Sequence, residues 1–374
     1  MTSEQPGAEV EMEDDEHVLD VDADEEVLSV TYEITSYGAD YPVDGLVKRL
    51  DRGDIKIPSF NPAYTESDEI RGFQRGFVWN RPQMDRFIES LLLGLPVPGI
   101  FLVREKSNTL LVLDGQQRLR SLQLYYSGVH DKREYRLKYA QKPFFDKTYL
   151  ELDDEDRRRL DDSIIHATVL RQDSPSGSQQ AIYSIFERLN TGGSPLQPQE
   201  IRIALFNGPF LQLIEDLNAD INWRYLYGPS SKRYKDQELI LRVFALFEKS
   251  ASYSRPVKGF LNRYLADNRE RTAVESEGLA NLFRTASRLI YDAIGPKAFK
   301  PVRPLNAAVL DSVMVGVMRR LQVGDVTSLA QLKSAYETLM KNDVYRRAST
   351  YSTAAEEAVA ERIQLSTDAF AGVE

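Results

Sequence analysis

Apolar residues recur along the chain with two different periods, and the change from one to the other organises it. Leu28, Val30, Tyr32 and Ile34 alternate as in a half-buried strand, whereas Val43, Leu46, Val47 and Leu50 fall at helical spacing that Gly53 ends. Ile55 and Ile57 give a short extended piece, and a polar, loop-like stretch follows as far as Ile70. Asn80 reads as an N-cap, with Pro82 in the first turn of a helix whose apolar face is Met84, Phe87, Ile88, Leu91 and Leu92 before Gly94. Two apolar runs, Ile100 to Arg104 and Thr109 to Leu113, are joined by the turn-like EKSN and lead into DGQQRL. There Asp114 is placed to cap a helix running through Leu119, Leu122 and Tyr126 to Gly128.

Further along, Ile182, Ile185, Phe186 and Leu189 make the apolar face of a helix that stops at Asn190, and Glu200 and Arg202 lie in a helix after Pro198. For these two charged residues a surface ion pair and an inward polar contact are both open. From Asp236 onward apolar groups keep helical spacing, around Leu239 to Phe247, Leu279 to Ile290, Leu305 to Leu321 and Leu329 to Leu339. With strands confined to the first 170 or so residues and helices afterwards, the fold class is α+β. The chain's 374 residues exceed what one core usually organises, so the pattern predicts a mixed domain over 28–235 and a helical domain over 236–374.

Charge adds a third segment. The formal net charge is −10, yet residues 1 to 26 hold twelve Asp or Glu and no Lys or Arg, so the rest is near neutral. Such a start cannot bury enough apolar surface to offset the entropy of ordering, and residues 1–27 are expected to be a disordered acidic tail. The absence of cysteine excludes disulfides, thiolate zinc sites and a cysteine nucleophile. No run approaches the eighteen or so apolar residues of a membrane helix, and a cytoplasmic location is expected.

DGQQR carries the candidate chemistry. A helix N-terminus presents unpaired N–H groups and a partial positive charge, so a phosphate fits there, with Arg118 as countercharge, Gln116 and Gln117 as orienting amides, and Gly115 allowing close approach. A carboxylate beside phosphates repels them unless a divalent cation intervenes or it positions a water, so Asp114 points to Mg²⁺ and hydrolysis. The plainer alternative is an N-cap aspartate with a surface amide pair. Upstream, Arg71, Gln74, Arg75 and Trp79 interleave cations, an amide and aromatics, the mixture nucleotide and nucleic-acid sites use, although an aromatic anchor with solvated arginines looks the same.

DGQQRL, preceded by FQRGFVWNRPQMDRFIESLLLGLPVPGIFL, resembles the family built around a DGQQR motif, domain-of-unknown-function family 262. That family includes the N-terminal half of GmrSD-type modification-dependent restriction enzymes and related phage-defence proteins, and its core is similar to the ParB and sulfiredoxin fold. IFERLNTGGSPLQPQEIRIALFNGPF, residues 185 to 210, resembles a second signature, and DQELILRVFALF from Asp236 a third, giving coverage from about residue 40 to about residue 265. The resemblance implies a nucleoside-triphosphate site with Mg²⁺ at Asp114 to Arg118, used as a switch in recognising modified or foreign DNA. Gln74 and Arg75 of the FQR segment, and Asn190, Gly192 and Gly193 of the RLNTGG segment, match positions that complete that site.

Other chemistry is missing. Restriction members of the family use an HNH-type nuclease in the same chain or a partner, but His17, His130 and His166 stand far apart, and there is no GxxxxGK[ST] loop. The expected partners are therefore DNA and a nuclease or other defence subunit in trans, with a homo-oligomer compatible. Three classes follow: an NTPase switch with Asp114 as metal or water ligand, a ParB-like module that binds nucleotide or DNA without turnover, and a metal-dependent nickase needing further acids such as Glu89 or Glu200.

Overall fold

The computed structural model describes residues 18–19, 33–58, 79–105, 108–174, 180–189, 196–300 and 304–374. Gln74, Arg75, Asn190, Gly192 and Gly193 lie outside the described residues, as does the acidic tail apart from Val18 and Leu19. The chain divides into two compact units, Ser29–Asn207 and Gly208–Glu374, with Met1–Leu28 grouped with the second. The class is α+β as expected, with a five-stranded sheet in the first unit and helices dominating the other.

The short strand β1 (Val18–Leu19) belongs to the second unit. In the first unit β2 (Glu33–Pro42) runs into α1 (Val43–Asp51), followed by β3 (Ile55–Lys56), α2 (Arg81–Leu92), β4 (Ile100–Arg104), β5 (Leu110–Asp114) and α3 (Gln116–Ser127). A hairpin of β6 (Val129–His130) and β7 (Arg133–Glu134) precedes α4 (Asp154–Asp162), β8 (Ile164–Ser174), α5 (Gln180–Leu189) and α6 (Pro198–Leu205). The sheet order is β2-β8-β4-β5-β3, antiparallel for β2–β8 and β4–β5 and parallel for β4–β8 and β3–β5.

The apolar faces read from the sequence are the ones buried. Val43, Leu46 and Leu50 of α1, Met84, Ile88 and Leu91 of α2, and Leu119 and Leu122 of α3 join Ile100, Leu102, Val112 and Val169 of the sheet in one core. Leu111 and Leu113 of β5 alternate with Leu110 and Val112 and are buried too, on the side where α5 meets the strand, so β5 is covered on both faces. The start of α2 is set by Asn80, whose side chain accepts the Gln83 N–H while the Gln83 side chain accepts the Asn80 N–H.

The second unit contains α7 (Pro209–Asn218), α8 (Ile221–Tyr227), α9 (Lys235–Lys249), α10 (Val257–Asn268), α11 (Glu277–Ile294), the strand β9 (Leu305–Asn306), which pairs parallel to β1, α12 (Ala307–Val323), α13 (Leu329–Lys341), α14 (Asp343–Ala348) and α15 (Glu356–Ala371). Every residue of α12 from Ala307 to Met318 is buried, which is what a helix apolar nearly all round must do; it packs against α9, α11 and α15. Close approach of α12 to α15 needs Gly316, because a Cβ there would overlap Ser366 and Phe370. Asp311 of α12 is fully buried and accepts hydrogen bonds from Arg242 Nε at 2.7 Å and from Arg362 Nε and Nη2 at 3.0 and 2.9 Å.

Candidate nucleotide site at the start of α3

Strand β5 delivers Asp114 to the edge of the core, where its side chain keeps 41% of its exposure. The helix begins two residues after the carboxylate, at Gln116. Gly115 is the N-cap, in the left-handed region at φ 99°, and no side chain caps α3. The expectation that Asp114 caps the helix is corrected here: Arg118, one helical turn on, takes the carboxylate instead, its Nη2 lying 2.7 Å from Asp114 Oδ2. The N-cap glycine offers no side chain to the first-turn N–H groups of α3, which have the helix dipole behind them.

Gly115 is dictated twice over. Its φ suits glycine, and a Cβ would run into Ile100 Cγ2 of β4. Gly115→Ala is therefore expected to cost about 1–3 kcal/mol in stability through overpacking and an unfavourable φ, and to displace Arg118. Denaturant unfolding of the variant checks it, and a loss below about 0.5 kcal/mol would contradict the fit described.

Arg118 is only 13% exposed and is fixed by a second hydrogen bond, from Nη2 to the Gly99 carbonyl at 3.0 Å. Its Nε is buried without a hydrogen-bond partner among the described residues, a donor whose desolvation is otherwise uncompensated. Gln117 turns its Oε1 to the backbone N–H of Trp79 at 3.2 Å, and the Trp79 ring packs edge-on against Phe87 at 5.6 Å. Gln116 lies partly exposed in the same first turn. The five residues of DGQQR are thus brought together with Gly99, Ile100 and Trp79. The role of Gly99 was not read from the sequence, because nothing in LPVPG marks a carbonyl that will receive a guanidinium.

An uncapped helix start, a buried unpartnered guanidinium Nε and a carboxylate retaining one oxygen suit a phosphorylated ligand with a divalent cation. Asp114 is the residue here that would hold the metal. Other acids weighed for chemistry are structural: Glu89 accepts the Gln141 N–H at 2.7 Å, and the buried Glu200 accepts the Gln197 N–H at 2.7 Å, capping α6. Arg202 is buried and donates to Gln199 Oε1 at 3.2 Å, so both charged residues of α6 point inward. Among the described residues no three His, Asp or Glu come together as a metal cage. His130 sits beside Asp131 and His166 beside Asp40. Several cations of the second unit have partners within it, Arg319 with Thr367 and Ser250, Arg320 with the Val373 carbonyl and Arg347 with Glu361. Among the described residues no helix is long and apolar enough to cross a membrane.

Residues 50–207 match the family described as GmrSD restriction endonuclease, N-terminal domain. The match bears out the DGQQR-family resemblance over this segment, which covers less than half of the chain and stops short of the segment beginning at Asp236. No curated protein and no solved structure matches the chain.

Proposed function

We propose that this protein, whose residues 50–207 form a GmrSD-type N-terminal domain, is the DNA-sensing, nucleotide-hydrolysing component of a restriction or phage-defence system. The observation that carries the reading is the uncapped start of α3 with Arg118 and Asp114 side by side at it. A triphosphate seated there meets first-turn N–H groups of α3 such as those of Gln116 and Arg118, and Arg118 neutralises charge that builds on the phosphate oxygens. Asp114 keeps Oδ1 without a hydrogen-bond partner among the described residues, available to hold Mg²⁺ or to orient the attacking water. Mg²⁺, when bound, draws charge from the phosphate oxygens and makes a bound water easier to ionise. Gln74, Arg75, Asn190, Gly192 and Gly193 are assigned to the same nucleotide by the family resemblance. DNA cleavage is supplied by an HNH-type nuclease outside these residues, since the chain's three histidines cannot build one.

One observation favours a module that binds without turnover: Asp114 and Arg118 already satisfy each other at 2.7 Å. Phosphate release by the purified protein, measured with each of four nucleoside triphosphates, with and without Mg²⁺ and with and without modified DNA, separates the two. Mg²⁺-dependent release that responds to DNA is the expected result. Binding without release gives the module, and neither binding nor release overturns the nucleotide assignment.

A further inference from the structure

On the flank of α3 away from Asp114, a cleft of about 600 Å³ opens between the start of α2, the later turns of α3 and the hairpin turn at His130 to Lys132. None of the residues of DGQQR lines it. Its size falls within the roughly 300–1,000 Å³ of small-ligand sites, far more than a lone inorganic anion fills. Its walls combine an aromatic ring, Trp79, with three permanent cations, Arg81, Arg120 and Lys132, against the two acids Asp51 and Asp131.

Part of this lining is held in place. Arg81 lies over the Tyr135 ring at 3.6 Å and donates to the Arg136 carbonyl at 2.6 Å. Arg120 donates to Gln123 Oε1 at 2.8 Å, and Gln123 in turn donates to Asp51 at 3.1 Å, so an amide edge stands between a guanidinium and a carboxylate. Burial holds His130 below its ordinary pKa against the pull of Asp131, so its ring tends to be neutral and able to donate or accept. Trp79 is braced through its backbone by Gln117, which also lies on α3.

Stacking surface, fixed cations and hydrogen-bonding edges in one cleft make up the chemistry of a phosphorylated nucleoside. We propose that this cleft is a nucleotide site separate from the start of α3, taking the base against Trp79 and the phosphate against Arg120 and Lys132. The nucleotide is either free or one unit of a single DNA strand. The site does not depend on hydrolysis at Asp114.

Tryptophan fluorescence tests it, because the chain has two tryptophans and Trp223 is fully buried in the other unit, so ligand quenching reports on Trp79. The probes are deoxyadenosine 5′-monophosphate, an oligodeoxyadenylate and inorganic phosphate. Saturable quenching by the monophosphate supports the site with a free nucleotide, and quenching by the oligonucleotide alone supports it with a strand as source. Arg120→Ala and Lys132→Asn are each expected to weaken binding about tenfold or more, the equivalent of one lost charged hydrogen bond, while Asp114→Ala leaves it unchanged. Lys132→Asn lies in an exposed turn and serves alone if Arg120→Ala does not fold. Quenching by none of the probes, equal quenching by inorganic phosphate, indifference to both cleft variants, or loss in Asp114→Ala would each overturn the proposal.

Discussion

Asp311→Ala is expected to destabilise the helical unit by about 3–5 kcal/mol, because it removes the buried carboxylate that two buried guanidinium groups share. Arg242 is 3% exposed and Arg362 not at all, and both direct hydrogen bonds to the one carboxylate, which is itself fully buried. Arg362 is tied further to the Thr353 carbonyl, so it cannot swing out to water without breaking a second contact. Without Asp311, the Arg362 guanidinium would lose its counterion in the low-polarity interior around α12, where no water replaces it. Against a total stability of roughly 5–15 kcal/mol, a loss of that size leaves the unit marginal. Denaturant unfolding followed in the far ultraviolet measures it, and a loss under about 1 kcal/mol would show that the cluster is not the buried charge system described. Replacing Arg242, Asp311 and Arg362 together by apolar side chains of similar volume is expected to recover most of the loss, since a whole buried ion cluster is often no more stable than its hydrophobic substitute.

The second large effect concerns the proposed turnover. If nucleotide is hydrolysed at the start of α3 as proposed, Asp114→Asn and Arg118→Ala are each expected to lower the rate by about 10²–10³-fold, the range lost when one preorganised electrostatic contact to a transition state is removed. The two should separate in kinetics. Asn retains a side chain of the same shape that can still accept from Arg118, so Asp114→Asn should reduce kcat with little change in KM. Arg118→Ala removes the countercharge to phosphate and also frees the Gly99 carbonyl and Asp114, so KM should rise as well. Steady-state phosphate release with the nucleotide that binds best distinguishes them, and wild-type turnover by Asp114→Asn would remove the carboxylate from the chemistry.

How much of this was legible in the sequence depended on whether packing or pairing shaped each element. Helices α1, α2 and α3 were readable because their apolar faces are also their buried faces, and Asn80 and Gly128 bound two of them by local chemistry. Strand β2 beyond Ile34 was not, since EITSYGADYP shows no alternation: most of its residues from Thr35 to Pro42 are exposed, and it is held by ten residue pairs with β8 rather than by a buried face. Helix α4 was missed for a similar reason, with Leu160 its one buried residue amid a run of charges. At the candidate site, the co-location of Asp114 to Arg118 followed from their spacing along the chain. The exchange of Asp114's capping role for an ion pair did not, because local preference allowed both and only the positions of Gly99, just before β4, and of Ile100 on it decide between them.

Because β5 is paired with β4, is joined by β3 at Leu110 and Leu111 and is covered on both faces, its ladder-bonded amide hydrogens are shielded from local opening. They should exchange with deuterium only when the whole unit unfolds, among the slowest in the molecule. Immediately past them, the first-turn amides of α3 lie beyond the ladder and have a glycine, with no side chain to cap them, at the N-cap. Asp114 therefore marks a step from strongly to less protected backbone within about three residues. A ligand that occupies those amides would be registered there as a local slowing against an unchanged strand.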